Sequence, residues 1–553
     1  MGRAAGNGDM QRYTGQNHFD VIVIGGGISG AAVAYEAASR GLRVVLFEKD
    51  DFCGATSAAS SKLIHGGLRY LSNREFTLVR ESLRERRILT HIAPNLVYPL
   101  AFMFPHYRAS FKTSKWFVKL GLTLYDLLAF DRSVVGATAK RIPRHRTLPA
   151  REACQRMPIL NPEGLTGASV YHDCLSIAPE RLALAFIRSA VRHRAEAANY
   201  ARVDGFIYGT DGKTIAGVDV YDRIHGRRRA VTAAVTVNCA GPWADGVLDR
   251  ARRQTSGRRI RRSEGIHIIT RPLIPSGTAV SAMVPGGGHC FLIPWRGHTL
   301  IGTTDKPYDG HPDDYRVTGE SIRALITAVN STFSGLGLTV GDVHHCYGGL
   351  RPLVESGDQA TYNASRRYEI RDHAKTGLNG LITVEGGKWT TSRHLAEKVV
   401  DHLATATRLP VGRSISARRH LQGCVIGDLP GHLAGLQERH PDCDRVTIDT
   451  VGRLYGEDAD AVLNLSRNVP DGTNRIDADG EIMGQAVYAV RYEMARTLAD
   501  IVLRRTGIAT LGCPGEPVLR RVAAAAAEAL DWDDMRIAEE VRTTMETLAV
   551  PVA

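Results

Sequence analysis

The sequence predicts an α/β chain of three parts: a parallel sheet wound with helices, an antiparallel-sheet domain and an α-helical C-terminal domain. Three observations lead there. A strand, a glycine loop, a helix and a second strand follow one another in Asp20–Glu48. Apolar strands ending in glycine turns return at Val231–Cys239 and Leu381–Val384. Beyond about residue 409 the apolar residues recur at helical spacing. At roughly 150 residues per domain, 553 residues correspond to two to four domains. Hydrophobic residues make up 43% and charged residues 23%, which excludes disordered, collagen-like and disulfide-scaffold chains. The nine cysteines are scattered without a C-x-x-C pair, so free thiols in a reducing compartment are expected, with no zinc or iron–sulfur site. The +12 formal charge suits a membrane surface, nucleic acid or an anionic substrate without choosing among them.

Residues 1–17 contain no apolar stretch and read as a flexible tail, neither signal peptide nor anchor. Val21-Ile22-Val23-Ile24 is an apolar run fit for a buried parallel strand. The loop Gly25-Gly26-Gly27-Ile28-Ser29-Gly30 fits G-x-G-x-x-G. Gly25 permits the tight turn, Gly27 lets the backbone approach a pyrophosphate, and Gly30 lets the helix pack close to the strand. The helix, Ala31 to Arg40, turns its N-terminus toward the anion and ends at Gly41. Val44–Phe47 is the second strand, and Glu48 follows Gly30 by 18 residues, where a carboxylate can bind ribose hydroxyls. Together these parts predict a Rossmann-like dinucleotide site.

The next segment, Gly54–Tyr70, is dense in hydroxyls and glycines and carries Lys62, His65 and Arg69 among them. A Ser-rich surface loop is the plain alternative, but a solvated linker seldom sets Lys, His and Arg between paired glycines and aromatics. Here the chain resembles the FAD-dependent glycerol-3-phosphate dehydrogenases, the respiratory quinone-linked kind, in the D-amino-acid-oxidase-like flavoprotein superfamily. The resemblance spans about residues 19–400. It includes Asn238–Trp243, Ile301–Asp305, Gly349-Leu350-Arg351-Pro352-Leu353 and Gly386–Thr391. Glu493–Asp500 with Arg504-Arg505-Thr506 resembles the family's C-terminal domain. The chain departs from the family at Glu36, at Ser392 and along Leu175–Arg181.

The resemblance implies a discontinuous FAD-binding domain, 18–75, 150–245 and 345–408. It also implies a substrate-binding domain, 76–149 and 246–344, and a helical domain, 409–553. Besides Gly25, Gly27, Gly30 and Glu48, it implies FAD contacts from Thr56, Ser57, Ser61, Lys62, His65 and Gly66, from Gly241, and from Gly387, Trp389 and Thr390. The FAD is expected to be non-covalent. The implied reaction oxidises sn-glycerol 3-phosphate to dihydroxyacetone phosphate by hydride transfer to flavin N5, with electrons passed to quinone. The phosphate then needs cations, the hydroxyl a base and the product carbonyl a positive partner. Arg351 is expected at the reacting carbon. Arg366, fifteen residues on, and Lys388 are expected at the phosphate, with Arg69 and Tyr70 lining the pocket. His267 is the leading general base and His65 its rival. His344 and His345 lack ligand-spaced partners, so no metal is expected.

Two stretches leave alternatives open. Arg250–Arg262 crowds seven arginines into thirteen positions, as a solvated loop or a membrane or nucleic-acid patch. Phe111–Phe130 is an amphipathic helix, either interfacial or packed in the substrate domain. No run reaches the roughly 18 apolar residues of a membrane-spanning helix. Peripheral attachment to the inner face of the cell membrane is therefore expected, with a cytoplasmic homo-oligomer, a dimer, and no nucleic-acid partner. The competing functions are a glycerol-phosphate oxidase using oxygen and a basic nucleic-acid-binding protein with a residual nucleotide fold.

Overall fold

The structure is a computed structural model of the chain. It describes all residues except 1–12, 14, 109–112, 133–139, 253–259, 285–287, 334, 355–366, 471 and 552–553. Among the described residues two sheets form, one of eight strands and one of ten.

The eight-stranded sheet is built on the predicted unit. Strand His18–Ile24 lies parallel between Val44–Phe47 and Arg227–Asn238, and Leu381–Gly386 runs parallel on the far side of Arg227–Asn238. Helix Ile28–Ser39 is buried along almost its whole length, packed against helices Pro179–Arg192 and Ser392–Thr407. Its small residues (Gly30, Ala31, Ala32, Ala34, Ala37, Ala38) allow that close approach, and the three helices with the sheet form one apolar core. All the strands of the nucleotide unit therefore end at the same edge, where the glycine loop opens.

The ten-stranded sheet lies beside this edge. Its strand Arg261–Thr270 pairs antiparallel with His298–Gly302 and with Val343–Leu353. The long strand Val97–Tyr107 pairs with Leu165–Ser176, which also takes Leu63–Ile64. Leu165–Ser176 and Val343–Leu353 thus belong to this sheet, whereas the domain bounds 150–245 and 345–408 put Leu165–Ser176 and most of Val343–Leu353 with the nucleotide unit. Leu165–Ser176 is largely buried and Val343–Leu353 partly so, and a strand's pattern does not say which sheet will hydrogen-bond its edge.

The C-terminal region is helical, as expected, with helices Leu429–Arg439, Arg445–Tyr455, Ala459–Ser466, Met483–Glu493, Glu516–Leu530 and Asp534–Leu548. Val487, Val490, Met494, Leu498 and Ile501, whose helical spacing predicts one helix, do not share one. The chain breaks at Met494, which has a left-handed φ of +60°, and restarts at Leu498. In the expected tail, residues 1–12 and 14 lie outside the described set. Tyr13 packs on the sheet, its ring edge-on to Phe47 at 5.5 Å.

Helix Lys115–Leu128 buries one face against the ten-stranded sheet and exposes another. Val118, Leu122 and Tyr125 are buried, while Trp116 (74%), Leu120 (71%), Leu127 (66%) and nearby Phe130 (74%) stand exposed. Phe111 and Lys112 fall outside the described residues. No helix among the described residues is long and apolar enough to cross a membrane. The arginine run divides: Arg262 pairs with Asp245 at 2.5 Å, Arg250 and Arg261 line the central cavity, and Arg253, Arg258 and Arg259 lie outside the described residues.

Candidate active site

Between the two sheets lies a cavity of about 2150 Å³. Small-molecule sites commonly enclose roughly 300–1,000 Å³, so this one has room for a dinucleotide and a second small ligand. Its two ends are built differently.

The nucleotide end is made of backbone. Gly25 has a φ of +103°, and a Cβ there would come within 2.7 Å of the Cys239 carbonyl oxygen. A Cβ on Gly30 would overlap the Gly25 carbonyl, so this glycine serves helix–strand contact. Gly27, by contrast, faces the cavity, and its nearest neighbour would be Ser57 Oγ at 3.1 Å. Glu48 accepts hydrogen bonds from Gly26 N (2.7 Å) and Asp50 N (3.0 Å), and burial raises its carboxyl above the usual range. Gly241 also lines this end.

The Ser-rich segment stitches the sheets together. Thr56 Oγ1 donates to the Leu350 carbonyl (2.6 Å), and Ser57 Oγ accepts from Ile28 N (2.9 Å) at the start of the first helix. Trp389 Nε1 donates to the Ser57 carbonyl at 3.2 Å. Thr56, Ser57, Ser61, His65, Gly387 and Trp389 all line the cavity. Four of the expected cofactor contacts do not: Gly30, which packs under the Gly25 carbonyl, and three others. Lys62 turns away to pair with Glu180 at 3.2 Å and lies 4.5 Å over the Trp295 ring, because an ammonium buried there needs a counter-charge. Gly66 is packed against Leu83 and Tyr125 and donates its N–H to Asp173 at 3.0 Å. Thr390 is buried and accepts from His65 N at 3.2 Å.

The other end is made of charged and aromatic side chains. The antiparallel register pairs Ser263 with Arg351, Gly265 with Gly349 and His267 with Tyr347, which sets Arg351 and His267 on one face with two glycines between them. Arg351 donates to Thr303 Oγ1 (2.6 Å) and to the Glu264 carbonyl (3.2 Å), and lies 3.9 Å from Asp305. His267 is buried, meets Ser61 Oγ through Nε2 at 2.8 Å and stacks on Tyr347 with ring centres 5.1 Å apart. Burial, then the nearby Arg351 and Lys62 charges, push its pKa well below 6.5, so the ring is neutral at pH 7. The rival, His65, is also held neutral, its pKa lowered to about 4 by burial and by Lys388.

Lys388, Arg69 and Tyr70 lie together in the cavity wall. The Lys388 ammonium lies 4.9 Å and the Arg69 guanidinium 5.1 Å from the centre of the Tyr70 ring. Lys388 Nζ is buried in the cavity wall with no hydrogen-bond partner among the described residues, and burial lowers its pKa to about 7. A buried, unpartnered ammonium costs several kcal/mol unless an anion meets it or it sheds its proton, so an anion in the cavity would be stabilised here. Arg366 lies outside the described residues.

Sequence reasoning passed over Asp173, His289 and the aromatic wall Phe102, Phe104, Tyr171 and Phe291. Asp173 accepts from Gly66 N, from Arg86 (2.6 Å) and from Tyr125 (2.8 Å), and so fixes the His65–Tyr70 turn. No local pattern marks it, since it sits mid-strand in Leu165–Ser176.

A glycine cradle for pyrophosphate, a carboxylate at the ribose position and a deep apolar-walled cavity suit FAD, and they define a flavin-dependent oxidoreductase. The FAD dependent oxidoreductase family matches residues 20–396, and the C-terminal domain of alpha-glycerophosphate oxidase matches residues 382–537. Among curated proteins, the glycerol-3-phosphate dehydrogenase of Synechocystis sp. is 37% identical, with 89% of each chain covered. The D-erythritol 1-phosphate dehydrogenase of Brucella abortus is 35% identical, covering 88% of this chain and 94% of that one. The solved glycerol-3-phosphate dehydrogenase of Bacillus halodurans, complexed with FAD, superposes with a TM-score of 0.77 at 26% identity, covering 98% and 97% of the two chains. The chain belongs to the FAD-dependent glycerol-3-phosphate dehydrogenase family, and FAD is its cofactor.

Proposed function

We propose that this enzyme oxidises sn-glycerol 3-phosphate to dihydroxyacetone phosphate and delivers the electrons to a quinone at a membrane surface, in the catabolism of glycerol and glycerophospholipids. The observation that carries the substrate reading is the pairing of a neutral buried His267 with a cation cluster, Lys388 and Arg69, in one cavity. Lys388 and Arg69 bind the phosphate, joined by Arg366 on the family spacing. Arg351, fixed by Thr303 and the Glu264 carbonyl, places its charge against the C2 oxygen as negative charge grows there. His267 takes the hydroxyl proton at Nδ1, the ring nitrogen without a partner among the described residues, while Ser61 Oγ at Nε2 and the Tyr347 ring hold the imidazole for it. The bound FAD supplies the hydride acceptor. The aromatic wall excludes water from the reacting carbon.

The exposed apolar face of helix Lys115–Leu128 supports the membrane and quinone reading. That face stands beside the cavity mouth, where Phe76, Phe117 and Leu120 join the lining. Lys115 and Lys119 flank Trp116 and suit anionic headgroups. The Brucella relative favours one second reading, a longer polyol phosphate as substrate. Anaerobic addition of glycerol 3-phosphate or erythritol 1-phosphate, with flavin absorbance followed, tests the substrate. Absence of bleaching by glycerol 3-phosphate refutes the first reading. Quinone reduction measured beside peroxide formation in air decides the acceptor.

A further inference from the structure

The motif Glu493–Asp500 with Arg504-Arg505 stands out in the sequence, yet the proposed chemistry makes no use of it. Its side chains reach the other end of the chain. Arg505 grips Asp51 with both terminal nitrogens, at 2.7 and 2.8 Å, and Arg504 Nε adds a third contact to the same carboxylate at 2.7 Å. Asp51 and Arg505 are almost wholly buried. Burial alone would raise the Asp51 carboxyl, but the two guanidiniums hold it below the usual range. Arg504 is in turn braced by Asp500 at 2.5 Å.

Asp51 lies in the turn that follows Glu48, and that turn is tied to the pyrophosphate loop. Cys53 N donates to the Gly26 carbonyl at 3.1 Å, Gly26 N donates to Glu48, and the Phe52 ring packs against Gly26. Cys53 holds a left-handed φ of +58°, a conformation a non-glycine residue keeps only where its surroundings over-determine it. The bidentate Arg505–Asp51 pair is a strong, directional contact able to do so. Backbone glycines can cradle a phosphate only if their loop is held still, and here the restraint comes from more than 450 residues away.

We propose that Arg504 and Arg505 are positioning residues for FAD: through Asp51 they set the Glu48–Cys53 turn and thereby the Gly25–Gly27 loop, so that the helical C-terminal region completes the cofactor site. The inference depends on FAD as cofactor and not on the substrate reading. The test uses full-length holoenzyme. Serial dilution with released-flavin fluorescence gives the FAD Kd, and circular dichroism at saturating FAD gives the melting temperature. Arg504→Gln, Arg505→Lys and Asp51→Asn should each raise the FAD Kd at least about tenfold. Asp458→Asn, which removes the charge from a second, partly buried contact between the two regions (Arg188–Asp458, 2.7 Å), should lower the melting temperature while leaving Kd within about twofold. Arg504→Gln keeps the Arg505 fork, so it decides the matter if the other two variants do not fold. Wild-type FAD affinity in Arg504→Gln, or equal weakening by Asp458→Asn, overturns the proposal.

Discussion

In the proposed function the two ends of the cavity meet the same demand, the binding of an anion, by opposite means. At the nucleotide end the ligand groups are backbone N–H groups and glycines within Asp20–Glu48, a run of consecutive residues. At the end proposed for the substrate they are side chains, Arg69, His267, Arg351 and Lys388, drawn from positions more than three hundred residues apart, of which sheet register brings His267 and Arg351 together. The first end is sensitive to volume, because a single Cβ fills the approach path. The second is sensitive to charge, because its groups are buried and few. A cradle of dipoles holds an anion without changing its own state, whereas a cluster of ionisable groups both binds and takes part in proton transfer.

That contrast is broken most sharply by His267→Asn. Loss of a positioned base costs about two to four decades in turnover at saturating substrate, while FAD content should stay at the wild-type level. Near-normal turnover in stopped-flow flavin reduction would remove His267 from the mechanism and leave His65 as the next base. Lys388→Met comes second. It should raise KM for glycerol 3-phosphate by about ten- to a hundredfold, the worth of one charge-assisted contact. It carries a pH signature as well. The free-enzyme ammonium titrates near 7, so in the wild type it is charged below that pH and progressively lost above it. Wild-type KM should therefore climb as pH rises from about 7 to 9, after the substrate phosphate has already reached its dianion near pH 6. A pH-independent KM in Lys388→Met, set against a rising one in wild type, is the expected pair of profiles.

At the nucleotide end, Gly27→Ala and Gly30→Ala separate two uses of glycine. Gly30→Ala should fail to give a folded holoenzyme, because its Cβ would overlap the Gly25 carbonyl. Gly27→Ala should fold, since Ser57 Oγ at 3.1 Å can shift, and weaken FAD by about tenfold, with KM unchanged at saturating FAD. Equal flavin retention in Gly27→Ala would place the pyrophosphate elsewhere. The smallest effect on chemistry is expected from the exposed face of helix Lys115–Leu128. The double variant Trp116→Ser with Leu127→Ser should keep wild-type rates with a soluble dye acceptor. Its co-sedimentation with anionic vesicles should fall severalfold, and undiminished sedimentation would mean that another surface meets the membrane.

How far the sequence alone reached follows the same division. The glycine loop, its helix and Glu48 were legible because each residue there acts on neighbours a few positions away. The cavity-facing roles of His65, Arg69, Tyr70 and Lys388 were legible through motifs carrying the family resemblance. Lys62 sits in the same motif and points away from the cavity, since only the fold brings Glu180 to it. Asp173, which fixes Gly66, had no local signal at all.

By itself the sequence determined the glycine-loop unit and the helical character of the C-terminal region, because periodicity and glycine placement are set by local backbone geometry, and its motifs carried the resemblance to the family. Only the tertiary structure decided which strands joined which sheet, how His267 and Arg351 came to share a face, and that Arg505 reaches Asp51. Those outcomes depend on hydrogen-bond partners and counter-charges far away in the chain. A buried charge takes whichever partner the fold places within about 3 Å, and no spacing in the sequence encodes that choice.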